Sequence, residues 1–456
     1  MTPTAELAVF LADPGQGLDD GRRGRAGHCL LDTLGCMIFG AEQPWSRRAA
    51  THARRTGGHG PCPVVGGGPA TSAPMAAFAN GASAHAFELD DVHEEAISHP
   101  GAVVIPAVLA LATETGAAGR HVLEAIVVGY EAMGRAGIAV GPAAHMLTGH
   151  HPTGQSGVFG AAAAAGRLLG FDATTMNHAL GIAATLSSGT TEFASSGGDT
   201  KRLHAGRAAE GGLTAALLAA DGFEGPTDGL AGRWGFCRVA GPEPAPHLLT
   251  ERLGERWMVD EVTVKPYASC SDIHPLIDAA LELRDRGVDP RAIVEIRAEV
   301  PTKAAEQNTM DGSSSVMAAQ YSGPFNVAAA FLADPTDPST YSPERITEPA
   351  LANLAARVRM VAADWCDSTY AWKMAGGLRV VCRDGTEHEA RVAGQRGSLH
   401  QPLTADEIES KFGRLATGRT DPDRVVEAVR RLGDAPDLDS LWAALPTGPH
   451  RGRPGR

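Results

Sequence analysis

Residues 292–300 read AIVEIRAEV. Apolar and charged residues alternate there with the period of two that a half-buried strand requires. Leu378–Cys382 and Glu387–Val392 share the texture, and Asp384-Gly385 between them is a turn-forming pair, so these segments predict a small sheet. Upstream the chain reads as helix. HCLLDTLGCMIFG (28–40), Ala102–Thr113, GRHVLEAIVVGYEAMGRAG (119–137), SGVFGAAAAAGRLLGFD (156–172), MNHALGIAATLSSG (176–189) and HAGRAAEGGLTAALLAADG (204–222) carry apolar residues at helical spacing. A further helix is expected to start near Ser322. Helical texture returns at PLTADEIESKFGRLA (402–416), where Thr404 and Glu407 have the spacing of a capping box.

The order helical, mixed, helical predicts a mainly α protein: a large helical domain built from both chain ends, with a smaller α+β domain inserted. The expected boundaries are 1–262 and 400–445 for the helical domain, 263–399 for the insertion, and 446–456 (PTGPHRGRPGR) for a disordered tail.

Composition narrows the function. The chain has 456 residues, with 53 acidic against 40 basic side chains and a net charge of -13, which speaks against nucleic acid or an anionic membrane as partner. Its seven cysteines form no C-x-x-C pair, which fits a reducing cytoplasm. No signal peptide is read at residues 1–25, and no apolar run is long enough to span a bilayer.

Four stretches carry candidate chemistry. NGASAHAFELDDVHEEAISHPGAVVIPA (80–107) sets Glu88, Asp90, Asp91, His93 and His99 close together, and His99-Pro100 holds a histidine at the mouth of the next helix. GHHPTGQSG (149–157) repeats the device with His151-Pro152. SSGGDTKRLHAGRAA (195–209) places Lys201 and His204 on one helix face, extended by Arg207. VKPYASCSDIHPLIDAA (264–280) supplies a third His-Pro pair at His274, with Lys265 nearby. The plainer readings are an acidic surface loop, a polar loop, a solvated basic edge and a buried loop histidine. Neither H-x-x-x-H nor H-E-x-x-H occurs, so a metal site is the minor reading. Walker A and dinucleotide fingerprints are absent as well.

Taken in order, LLDTLGCMIFG (30–40), NGASAHAFELDD (80–91), SHPGAVVIPAVLALA (98–112), HPTGQSGVFGAAAAAGRLLGFD (151–172), KRLHAGRAAEGGLTAALLAADGFEGP (201–226), KPYASCSDIHPLIDAA (265–280) and PLTADEIESKFGRLA (402–416) resemble the MmgE/PrpD family, which includes 2-methylcitrate dehydratase and cis-aconitate decarboxylase. The resemblance implies an all-helical domain, an α+β lid with the active site between the two, a homodimer, and no metal or organic cofactor. It implies site roles for His99, His151, His274 and Lys201. The sequence departs from the family pattern at Glu88, where aspartate is frequent, at Val92, where threonine is frequent, at Ser271, where arginine is common, and at Asp272, where an aromatic residue is common. Loss of an arginine removes a bidentate carboxylate clamp, which speaks against a small tricarboxylate as substrate.

Residues and resemblance agree on chemistry at a carbon next to a carboxylate. That chemistry needs a base near neutrality and cations on the carboxylate. His151 and His99 are expected to exchange protons, oriented by Glu88 or Asp91, while Lys201, His204, Lys265, Ser271 and His274 bind substrate. Dehydration of a hydroxy acid is the favoured reaction. Decarboxylation of an unsaturated acid and epimerisation are alternatives within the family, and a non-catalytic carboxylate-binding or scaffold protein is the alternative of another class.

Overall fold

A computed structural model describes residues 1–15, 18–141, 149–193, 198–370 and 372–447. The protein is mainly α-helical. Of the expected tail, residues 448–456 lie outside the described residues. The chain divides into two compact units: Met1–Ala86, Asp90–Val262 and the chain from Thr404 on form the first, and Phe87–Leu89 with Thr263–Leu403 form the second.

In the first unit, the helices Pro152–Leu168, Gly119–Ala139 and Thr200–Ala220 pack together, with Ala73–Ala84 and Gly101–Thr115 alongside. Small residues allow the close approach. A Cβ at Gly212 would come within 2.4 Å of the Val158 carbonyl, so an alanine there would force the helices apart. The Asp20–Gly40 helix starts at Asp19, whose side chain accepts from the Arg22 amide. Late in the chain, Ala405–Ala416 opens on the expected capping box of Thr404 and Glu407 and packs on Asp20–Gly40. Lys411 and Asp32 meet there at 2.5 Å, both buried. Burial raises the Asp32 carboxyl despite the lysine, so the lysine is what makes its charge tolerable.

The second unit contains a four-stranded sheet in the order Val358–Ala362, Ile293–Val300, Gly376–Cys382, Glu387–Val392, the first pair parallel and the others antiparallel. The Asp384-Gly385 turn forms as expected, with Gly385 at φ +84°. The register shifts between Ile293 and Glu295, so Val294 faces solvent and the alternation read from AIVEIRAEV resumes only at Ile296. The strand Val358–Ala362 was not anticipated, because as an edge strand it has no fully buried face to stamp an alternation on its sequence. His274–Asp285 packs on Gly376–Cys382 and Glu387–Val392, and Gly323–Leu332, capped by Ser322 as expected, packs on His274–Asp285. Among the described residues, no helix is long and apolar enough to cross a membrane.

The Asp32–Lys411 pair gives a first test. Lys411→Met keeps the stem but strands a buried carboxylate, and should cost about 3–5 kcal/mol in urea unfolding. Adding Asp32→Leu should recover most of that loss. A single variant within about 0.5 kcal/mol of the parent would show that Asp32 needs no partner.

Candidate active site

The segment from His85 to His99 follows the Ala73–Ala84 helix, and its two neighbouring aspartates have different duties. Asp91 accepts at Oδ1 from the Gly101 amide, 2.8 Å, and so caps the Gly101–Thr115 helix. At Oδ2 it accepts from the Tyr130 hydroxyl, 2.6 Å. Only a glycine fits at 101, since a Cβ there would meet Asp91 Oδ1 at 2.8 Å and Thr33 Oγ1 at 2.4 Å. Burial pushes the Asp91 carboxyl up to about 7, against the Tyr130 hydrogen bond and with repulsion from Asp32. Asp90 faces the imidazoles: its Oδ2 lies 2.6 Å from His85 Nδ1 and 3.4 Å from His99 Nδ1.

This corrects the expected role of Asp91. The Asp91 carboxylate is committed to a helix start and a tyrosine, and only its backbone oxygen meets His99 Nδ1, at 2.7 Å. The His99 amide donates to Thr153 Oγ1, 3.2 Å, which ties the segment to the Pro152–Leu168 helix.

His151 stands at the N-cap of that helix in extended conformation, its amide donating to the Gly189 carbonyl, 3.2 Å. Its Nδ1 lies 3.0 Å from His204 Nδ1. The imidazoles form a row, with centroids 4.9 Å apart for His99 and His85, 5.7 Å for His85 and His151, and 5.0 Å for His151 and His204. Phe193 packs edge-on against the last two rings. Lys201 sits three residues before His204 on the Thr200–Ala220 helix and is buried. Burial holds His151 well below the usual histidine range, and positive charge on His85 and Lys201 adds to it. Burial and the same two neighbours lower His204 to about 4. Arg207 does not extend this row; it is exposed and pairs with Glu210 at 2.6 Å.

The remaining expected residues, His93 apart, belong to the second unit. Glu88 adopts φ +57°, rare for a residue with a side chain, and Lys265 Nζ lies 3.6 Å from its carboxylate and 3.3 Å from its carbonyl oxygen. His274 is fully buried at the first position of its helix, with Nε2 3.3 Å from the Ser269 carbonyl and its ring edge-on to Tyr267. Ser271 is buried in the preceding turn. Asp272 pairs with Lys303 at 3.0 Å, and the Tyr370 hydroxyl donates to it at 3.4 Å. His93 is buried in the first unit, 3.8 Å from Glu261.

Sequence reasoning missed His85, Thr153, Tyr130 and Phe193, and gave Asp90 no role. The one signal for His85 was a histidine among small residues, five positions before Asp90. His85, Asp90 and His99 offer donor atoms within 4.8 Å of one another, as a metal site would. Two ligands of a tetrahedral zinc lie roughly 3.3 Å apart, given bonds of about 2.0–2.1 Å. The 2.6 Å between His85 Nδ1 and Asp90 is too short for that and is the spacing of a shared proton.

A buried acid–base cluster of imidazoles beside a lysine, carried on a small-residue helical core, is thus the class of site this fold builds. Residues 15–248 match the MmgE/PrpD N-terminal domain and residues 267–433 the MmgE/PrpD C-terminal domain, so the chain belongs to the MmgE/PrpD family. It is 29% identical over 453 residues to the cis-aconitate decarboxylase-like protein oryM of Aspergillus oryzae, covering 92% of each chain. It is 30% identical over 427 residues to a cis-aconitate decarboxylase of Aspergillus terreus, covering 88% of this chain and 86% of that one. The cis-aconitate decarboxylase of Homo sapiens is 28% identical over 441 residues, covering 92% and 89%.

Tyr130→Phe tests the assignment of Asp91. The Tyr130 hydroxyl works to lower the Asp91 carboxyl, so its loss should raise that carboxyl further above its present value of about 7. Carbon-detected NMR of the side-chain carboxyl reads the shift directly. The lost bond should also cost about 1.5–3 kcal/mol of stability where Asp91 is ionised.

Proposed function

We propose that this protein is a cofactor-independent lyase that moves a proton at a carbon next to a carboxylate, and that decarboxylation of an unsaturated carboxylic acid is its reaction. The observation that carries the proposal is the packing of buried His99, His151 and Lys201 with half-buried His204 as one cluster. Neutral imidazoles are both acceptors and donors, and a buried ammonium beside them attracts a carboxylate. The curated relatives, named as cis-aconitate decarboxylases, weight the choice toward loss of carbon dioxide over the dehydration favoured by the sequence. The departures at Glu88 and Ser271 support a substrate other than cis-aconitate itself.

In this reading Lys201 and His204 hold a substrate carboxylate. Decarboxylation takes up one proton at carbon, which His151 or His99, the latter fixed by the Asp91 carbonyl and Thr153, delivers. Loss of carbon dioxide leaves an electron pair on carbon, which an imidazole N–H then protonates. His274, Lys265 and Ser271 are proposed to contribute to substrate recognition and Glu88 to hold Lys265, on the family resemblance and on the Lys265–Glu88 contacts. A lid role for residues 263–399 and a homodimer are proposed on the resemblance alone. Slower hydrogen exchange in that span with substrate bound, and sedimentation at twice the 47.2 kDa chain mass, are the expected results.

The decisive assay is incubation with cis-aconitate and with related unsaturated and hydroxy acids in D2O, read by NMR. Loss of carbon dioxide with one deuteron gained supports the proposal, and loss of water would return the dehydratase reading. Deuterium wash-in alone would mean an epimerase, and binding without any exchange a non-catalytic protein. On the acid so found, His151→Gln should lower kcat roughly 100-fold or more. Lys201→Met should weaken binding by about 1.5–3 kcal/mol. Both positions are buried, so each variant needs a melting curve beside its kinetics.

The pH profile has a definite sign. A histidine whose protonation is disfavoured stays neutral, and so competent as a base, to lower pH. The acid limb of kcat/KM should therefore fall below the ordinary histidine value of 6.5. A limb at or above 6.5 would remove His151 from the base's role.

A further inference from the structure

The His85–Asp90 pair has no part in the roles assigned above, yet it occupies the middle of the imidazole row. Both side chains are wholly inaccessible, and their 2.6 Å contact requires a proton between them. Asp90 accepts that proton's hydrogen bond, which fixes it on His85 Nδ1 and leaves Nε2 bare. Nε2 is buried and has no hydrogen-bond partner among the described residues. An orphaned acceptor at such a place is costly in a merely structural histidine, and calls for an explanation.

The surroundings supply one. The charged and titratable groups around the dyad are His99 and Asp91 on its own segment, His151, Lys201 and His204 on the two neighbouring helices, and the Asp32–Lys411 pair beyond Asp90. Among the described residues, a proton that arrives on His151 faces the imidazoles of His85, His99 and His204 and the Lys201 ammonium, whereas a proton on His85 lies against a carboxylate. We propose that His85, oriented by Asp90, is a positioning and proton-holding residue of the reaction, and that its Nε2 stores the proton exchanged by the reactive imidazole. The inference rests on the lyase reading. The balance is simple: the proton passes from the reactive ring to His85 Nε2, that ring returns to neutral, and His85 becomes an imidazolium beside an unchanged Asp90 carboxylate. Decarboxylation takes up one proton net, so there the proton held on His85 is drawn from solvent before turnover and passes through the reactive ring to the carbon that lost carbon dioxide.

Two independent measurements test this. In the free wild-type protein, nitrogen NMR of the histidine rings should find the neutral His85 ring protonated on Nδ1 in a short hydrogen bond that Asp90→Asn abolishes. A ring protonated on Nε2 overturns the proposal. This arm needs no substrate, so it reports on the dyad even if no carboxylic acid is turned over. In that event the lyase reading fails and the proton-holding role falls with it. With a substrate, His85→Gln and Asp90→Asn should each lower kcat about tenfold or more with KM changed by less than about threefold. Asp90→Asn should also move the acid limb of kcat/KM to lower pH by about one unit, because the imidazole cluster loses the carboxylate that faces it. Unchanged kcat overturns the proposal, and so does a fall in kcat with an unmoved limb, which is what a packing role would give. Should His85→Gln fail to fold, Asp90→Asn and the tautomer measurement decide.

Discussion

The hydrogen bond from the Gly101 amide to Asp91 fixes the geometry on which the histidine cluster depends. It starts the Gly101–Thr115 helix, and with Tyr130 it anchors the carboxylate from a second helix. Once Asp91 is held, its carbonyl oxygen is fixed opposite His99 Nδ1, and the next carboxylate back, Asp90, is left to face His85 and His99. Adjacent residues of one chemistry thereby separate into a structural and an electrostatic function. The separation is made by a glycine at 101 that alone admits the Asp91 oxygens.

Packing several imidazoles into a mostly apolar helical core would be costly if all were charged. The structure handles this by unequal provision of partners. His85 has a carboxylate, while His151 and His204 have each other and a nearby lysine. The row is therefore unequal along its length, with the Asp90 carboxylate against His99 and His85 and a lysine beside His151 and His204. In the second unit the same economy pairs Lys265 with Glu88 and Lys303 with Asp272. No buried lysine in these places is asked to stand without an anion.

Features set by neighbours in sequence were legible, and features set by distant neighbours were not. The capping box at Thr404 and the turn at Asp384-Gly385 follow from local backbone chemistry, and both appear where the residues put them. The three His-Pro pairs marked real helix starts at or beside His99, His151 and His274. Asp90 and Asp91 were indistinguishable, because what tells them apart arrives from residue 101 and residue 130. His85 sits at the end of a helix of small residues with no proline beside it, so nothing local announced it. Arg207 read as part of the Lys201 row because helix periodicity gives a face, whereas the distance to Glu210 decides where a long side chain goes.

The first unit draws its last helices from the chain after Thr404, and this has a consequence for synthesis. Asp32 leaves the ribosome roughly 380 residues before Lys411. At about 5–20 residues per second that is a wait of roughly 20–75 s. Throughout that time the Asp20–Gly40 helix has neither its ionic partner nor the Ala405–Ala416 helix to cover it. The sheet-bearing unit is nearly continuous in sequence and has almost all its contacts within reach earlier. The nascent chain thus carries the apolar face that Ala405–Ala416 will cover through most of its translation, a period in which such a surface is open to wrong partners.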